Sequence, residues 1–234
     1  MIVTKNAVYL HNPKTGGTWL KHILDPILID YVEHHVPEGP FDHINTFTFV
    51  RNPWSWYVSL YLFLRNGSEH YQASTKLKPP IIQALSDKSF DEFIKFSTCP
   101  NLAFKNKVFS IYKIFELADI KTQSYNEVQV LSKPEGVILT EWINGDKSYY
   151  NVICDVYTRY AHTIGKYETL KPDLVKMLIQ SGDASEEILE RVETTPPINV
   201  TTDKDDYRLY YNDSTRQMVA DTSKELIERY GYEF

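Results

Sequence analysis

The chain predicts an α/β fold of three layers, a central parallel sheet flanked by helices. Three observations carry that expectation. A short apolar run, Ala7-Val8-Tyr9-Leu10, passes through a glycine turn into a helix-like segment at 20–28. A second run, 46–50, alternates threonine with phenylalanine and ends in valine, which suits a strand buried between layers. It stops at Arg51-Asn52-Pro53, where Asn52 can cap a helix and Pro53 fits its first turn.

The first third reads as strand, loop, helix, strand, strand, helix. The helix at 54–64 is apolar almost all round, as expected of one buried on several faces. Residues 67–80 are polar and end in Pro79-Pro80, an exposed loop or lid. Phe90, Phe93 and Ile94 share one helical face, and 137–139 and 162–165 read as short strands. Amphipathic helices are expected at 170–179 and 185–192, and a polar loop at 199–206 follows Pro196-Pro197. A last helix, 214–230, has Gly231 placed to stop it.

With 234 residues, 42% of them hydrophobic and 24% charged, the chain suits one domain, 1–234, of ordinary soluble composition. No apolar run approaches the ~20 residues that span a bilayer, and no basic-then-hydrophobic leader stands at the start. A cytoplasmic location is therefore expected, without membrane partners. Cys99 and Cys154 lack metal-ligand spacing and are expected to be reduced thiols. The net charge of −6 argues against a nucleic-acid partner, so an anionic ligand needs a local basic site. Three Asn-x-Ser/Thr matches, at Asn66, Asn199 and Asn212, are read as chance in such a chain.

The chemistry concentrates in His11-Asn12-Pro13-Lys14-Thr15-Gly16-Gly17-Thr18-Trp19. A strand, a glycine turn and a helix start make a phosphate cradle of converging backbone N–H groups. Gly16 and Gly17 allow close approach of a phosphate, Thr15 and Thr18 can add hydroxyl donors, and Lys14 adds a full charge. An ATP- or GTP-binding loop reads G-x-x-x-x-G-K-[ST], its lysine after the glycines. Here the lysine precedes them, so a phosphorylated ligand other than Mg-ATP is expected, with no metal. The fold expectation is accordingly P-loop-like. Arg51 stands at the end of a strand, where α/β sheets bind ligands, and its planar fork suits a second phosphate. Ser59 lies about two turns beyond Asn52, on roughly the same face. Alternatively, Arg51 is a surface residue beside an ordinary cap.

Together the two segments resemble the PAPS-dependent sulfotransferase family, closest to its bacterial and carbohydrate-type members. PAPS is 3′-phosphoadenosine-5′-phosphosulfate. The family pattern P-K-x-G-[TG]-T-W is matched at residues 13–19, and R-x-P-x-x-x-x-x-S-x-Y at 51–61. Weaker likeness covers 164–170 and 207–232, while 67–147 is unmatched and is expected as a helical or loop insertion on the acceptor side.

The resemblance implies an enzyme that moves the sulfuryl group of PAPS to a hydroxyl or amine of a carbohydrate or other small molecule, releasing PAP. It implies that Lys14, Thr15, Gly16, Gly17 and Thr18 hold the 5′-phosphosulfate, while Arg51 and Ser59 hold the 3′-phosphate. Trp19 matches a tryptophan that stacks on adenine, or else is a core aromatic beneath the loop. His35, His34 and His43 are the candidates for the base that activates the acceptor. Lys204 and Arg208 fall where relatives cover PAPS, or else form a solvated charged loop. Glu168 positions the loop or acceptor, or else makes a structural ion pair. Trp54, Trp56 and Tyr57 offer a sugar-stacking surface or core packing. The competing functions are a nucleotide kinase or NTPase with an atypical phosphate loop, and a PAP-binding module without catalysis.

Overall fold

The computed structural model describes residues 1–31, 41–66, 88–98, 147–198 and 206–234. The expected loop at 67–80, the strand at 137–139, most of the insertion at 67–147 and all but the end of the loop at 199–206 lie outside them. So do Cys99, His34, His35 and Lys204.

Five strands form one mixed sheet in the order β3-β1-β2-β4-β5. They are β1 (Ile2–Val3), β2 (Ala7–Tyr9), β3 (Asp30–Tyr31), β4 (Asn45–Val50) and β5 (Thr163–Lys166). β2, β4 and β5 run parallel, with Val8 opposite Thr46 and Phe49 opposite Gly165. β1 is antiparallel to both β2 and β3, which corrects the expectation of a parallel sheet. Only Thr4, Lys5 and Asn6 separate β1 from β2, far too few for the crossover a parallel pair requires. Their turn closes with Thr4 N–H on the Ala7 carbonyl at 2.9 Å. It is anchored by Thr4 Oγ1 and Asn6 Nδ2, which donate to Asp183 at 2.6 and 2.8 Å.

Eight α-helices lie among the described residues: α1 (Gly17–Leu24), α2 (Pro53–Asn66), α3 (Phe90–Thr98), α4 (Tyr149–Thr158), α5 (Leu170–Ser181), α6 (Glu186–Thr194), α7 (Asp213–Thr222) and α8 (Lys224–Tyr230). The chain divides into two compact units. The first comprises Met1–Asn52 and Ile153–Thr202, the second Pro53–Val152 and Asp203–Phe234.

In the first unit, Tyr9, Phe47 and Phe49 pack with Trp19, Leu20 and Ile23 of α1. Leu174, Met177 and Leu178 of α5 and Ile188 and Val192 of α6 complete this core. Alternation explains why both Thr and Phe of β4 are buried: the phenylalanines enter this core. Thr46 and Thr48 donate to the Tyr160 and Leu10 carbonyls at 2.6 and 2.7 Å, leaving no hydroxyl proton unsatisfied. Gly182, at φ 82°, ends α5, and Ser185 caps α6 through the Ile188 N–H. α1 is shorter than its periodicity suggests, because Pro26 turns the chain into a 3₁₀ segment at Asp25–Ile27. Arg191 donates to the carbonyls of His22 and Ile23 at its end.

The second unit has an aromatic core. Trp56 lies 4.6 Å from Tyr150 between ring centroids, and Tyr57 meets Phe93 edge-on at 6.2 Å. Trp54, Trp56 and Tyr57 are all buried, so they are core residues here and offer no sugar-stacking surface. The expected last helix is two. Ser223, at φ −109° and ψ 18°, separates α7 from α8 after a run of poor helix formers, Asp221-Thr222. Gly231 ends α8 at φ 62°.

Candidate phosphate site

The loop between β2 and α1 is built from buried hydrogen bonds outward. Leu10 N–H bonds the Phe47 carbonyl, and Asn12 Nδ2 bonds the Phe49 carbonyl, both at 2.9 Å. These two contacts fasten the loop's first half to β4. Thr15, fully buried, donates its hydroxyl to the Asn12 carbonyl at 2.6 Å, closing the turn. Tyr9 OH lies 3.4 Å from the same hydroxyl. Burial pushes the Tyr9 phenol far above its ordinary range, so it stays protonated at any physiological pH.

Two residues of the loop adopt left-handed backbone conformations, Lys14 at φ 66° and Gly16 at φ 88°. Glycine does this at no cost, whereas a lysine held there is strained by about 1–2 kcal/mol. Left-handed residues alternating with ordinary ones turn successive N–H groups toward one concave side, the geometry of an anion nest. Gly16 is also the N-cap of α1, whose first turn has no side-chain cap. The helix therefore brings the positive end of its dipole to the same place.

Neighbouring side chains enforce both glycines. A Cβ on Gly17 would overlap the His11 ring, and one on Gly16 would lie 2.8 Å from Leu170 Cδ2. His11 in turn stacks on Tyr9, with ring centroids 5.8 Å apart and planes at 27°.

Arg51 emerges at the C-terminal end of β4 and is only 4% exposed. Its Nη1 donates to the Lys14 carbonyl at 2.9 Å, and its guanidinium carbon lies 4.1 Å from the centre of the Tyr167 ring. Beside Tyr167, Glu168 accepts the Asn52 N–H at 2.8 Å. Glu168 thus serves the backbone rather than an ion pair. Just past β5, Asp173 accepts from Thr169 Oγ1 at 2.6 Å and from the Lys166 N–H at 3.0 Å. Burial pushes the Asp173 carboxyl up, but these two bonds and nearby Lys176 outweigh it and hold it below its ordinary value. Three sequence segments, 11–19, Arg51-Asn52 and 164–170, thus meet at the C-terminal ends of β2, β4 and β5, where open α/β sheets bind ligands.

The other expected residues fall as follows. Thr18 is exposed on the first turn of α1. Thr15 has its hydroxyl turned inward, on the Asn12 carbonyl. Trp19 is 4% exposed and donates to the Thr195 carbonyl at 3.4 Å, so it belongs to the core and has little ring face for an adenine. His43 precedes β4, at the opposite end of that strand from Arg51, and six strand residues at ~3.3 Å each put it roughly 20 Å away. Ser59, half-buried in α2, and Arg208 belong to the second unit. Arg208 pairs with Asp206 at 3.1 Å and lies 4.6 Å from the Tyr207 ring centre.

Sequence reasoning gave His11 and Tyr167 no role of their own, although both lie in the segments it singled out. Each has a positional signal, His11 directly after the β2 run and Tyr167 directly before Glu168. Among the described residues, no group of three or more His, Cys, Asp or Glu side chains could hold a metal ion, and no helix is long and apolar enough to cross a membrane. Comparison with protein-family models, curated proteins and solved structures gives no match to this chain.

Proposed function

We propose that the chain is a sulfotransferase that uses PAPS as donor and a hydroxyl or amine of a carbohydrate or other small molecule as acceptor. The observation that carries the reading is the Lys14–Gly17 turn, a left-handed, glycine-bearing nest at a helix start with its lysine ahead of the glycines. Sulfuryl transfer is an in-line displacement: the acceptor oxygen or nitrogen bonds to sulfur as the bond from sulfur to the 5′-phosphate oxygen breaks. Negative charge builds on that leaving phosphate. Lys14 and the N–H groups of Thr15, Gly16 and Gly17 are suited to stabilise it, as positioned donors do in phosphoryl transfer. The acceptor's proton goes to a base, for which His35, His34 and His43 are the candidates. Arg51 and Ser59 are the candidates that the family resemblance implies for the 3′-phosphate.

The experiment is transfer of labelled sulfate from PAPS across glycan, phenol, lipid and amine acceptors, with PAP release followed in parallel. Acceptor-dependent PAP release supports the reading. Magnesium-dependent ATP turnover instead would identify a kinase or NTPase. Tight PAP binding without transfer to any acceptor class would identify a binding module.

A further inference from the structure

We propose that Arg51 acts on the phosphate loop itself, holding the Lys14 peptide in the orientation that turns the loop's N–H groups toward the ligand. The inference rests on the reading of this loop as the donor-phosphate cradle, and it gives Arg51 a positioning role separate from any contact with a 3′-phosphate.

The physical basis is the peptide plane. The Lys14 carbonyl and the Thr15 N–H belong to one rigid trans unit and point in opposite directions. A donor fixed on the carbonyl therefore fixes where the N–H points. Arg51 Nη1 is that donor, at 2.9 Å, and the bond is charge-assisted. The guanidinium is itself held. It is nearly buried, and it lies 4.1 Å from the centre of the Tyr167 ring. The same ring closes over Gly16, whose missing Cβ would lie 3.5 Å from Tyr167 Cε2. Lys14 is the only non-glycine residue with positive φ among those described, so the peptide that Arg51 grips is also the one most in need of an external hold. Tyr167, Arg51 and Lys14 thus form a chain of contacts that braces the nest.

A residue that only binds the 3′-phosphate would not affect ligands lacking that group; a residue that sets the loop would. The test compares the wild type with Arg51→Met and Arg51→Lys. Titration with adenosine 5′-phosphosulfate, which lacks the 3′-phosphate, is expected to show at least tenfold weaker binding in R51M, with partial recovery in R51K. In the unliganded proteins, amide exchange at Asn12 and Leu20, whose N–H groups bond the Leu10 and Gly16 carbonyls at 2.9 and 3.0 Å at the two ends of the loop, is expected to be at least tenfold faster in R51M, and intermediate in R51K, with β4 protection unchanged. Unchanged 5′-phosphosulfate affinity in R51M, with loss confined to PAPS, overturns the proposal; so does unchanged loop exchange. If R51M does not fold, R51K decides by the same two readouts. A wild type that binds neither nucleotide defeats the donor reading, and the exchange rates still decide whether Arg51 holds the loop.

Discussion

The carboxylate of Glu168 accepts the backbone N–H of Asn52 at 2.8 Å, tying the end of β4 to the turn that follows β5. Both residues flank the stacked pair Arg51–Tyr167, so this bond fixes the frame in which the phosphate loop is braced. Removing it with Glu168→Ala is expected to cost about 1 kcal/mol of stability, because the Asn52 N–H loses a charged acceptor. Glu168→Gln keeps an acceptor and should cost less than half as much. Urea unfolding of the two variants checks the order.

Thr15 locks the loop, since its hydroxyl is buried on the Asn12 carbonyl. Thr15→Ser preserves that donor and is expected to stay near wild type in both folding and nucleotide affinity. Thr15→Val keeps the shape but strips a buried carbonyl of its partner, which should cost about 1–3 kcal/mol. Thermal unfolding of both variants, with PAP titration alongside, separates the lock from a ligand-contacting hydroxyl.

In an ordinary helix Gly→Ala stabilises by roughly 1 kcal/mol. At Gly17 the sign is expected to reverse, because the new methyl would occupy the place of the His11 ring. Gly17→Ala should destabilise by about 1–3 kcal/mol, and His11→Ala in the same chain should recover most of that loss. A double-mutant cycle on unfolding free energies measures the coupling. Additive effects would mean that the ring moves aside freely.

The Asp173 carboxyl is held below its ordinary value of 3.8 by Thr169, Lys166 and Lys176, against the opposing effect of burial. A carboxylate with a depressed folded-state value stabilises the fold above its unfolded value, and that stability disappears as pH falls through the folded one. The wild type should therefore lose more Tm than Asp173→Asn between pH 5 and about pH 2. Scanning calorimetry across that window is the check, and parallel curves would contradict the assignment.

Much of the fold near the loop was readable in the residues themselves. The Thr-Phe alternation of β4, the Asn52-Pro53 helix start and the Ser185 and Gly231 helix ends each depend on neighbours in sequence, and the structure has them where local chemistry puts them. What local chemistry could not reveal was long-range. Tyr149–Thr158 is rich in aromatic and β-branched residues, a composition with no helical signature, yet it is helical with Tyr150, Ile153 and Tyr157 buried. The division into two units and the antiparallel β1 likewise follow from pairings set by tertiary contact. At the site, the loop was legible because glycine and lysine spacing encodes backbone shape. The roles within it were not: Thr15 turns inward, Trp19 joins the core, and Arg51 bonds a backbone carbonyl, because each depends on what packs against it. Nearness in sequence to β4 likewise says nothing about which end of the strand faces the loop, and His43 stands at the far end.

Calorimetric titration of the wild type and Lys14→Ala with PAP tests the central claim most directly. The wild type is expected to bind PAP at least tenfold more tightly than 5′-AMP, and Lys14→Ala to weaken PAP by at least tenfold, about 1.4 kcal/mol. A wild type that binds no PAP, or that binds it no better than Lys14→Ala does, contradicts the assignment of this loop to a sulfuryl donor.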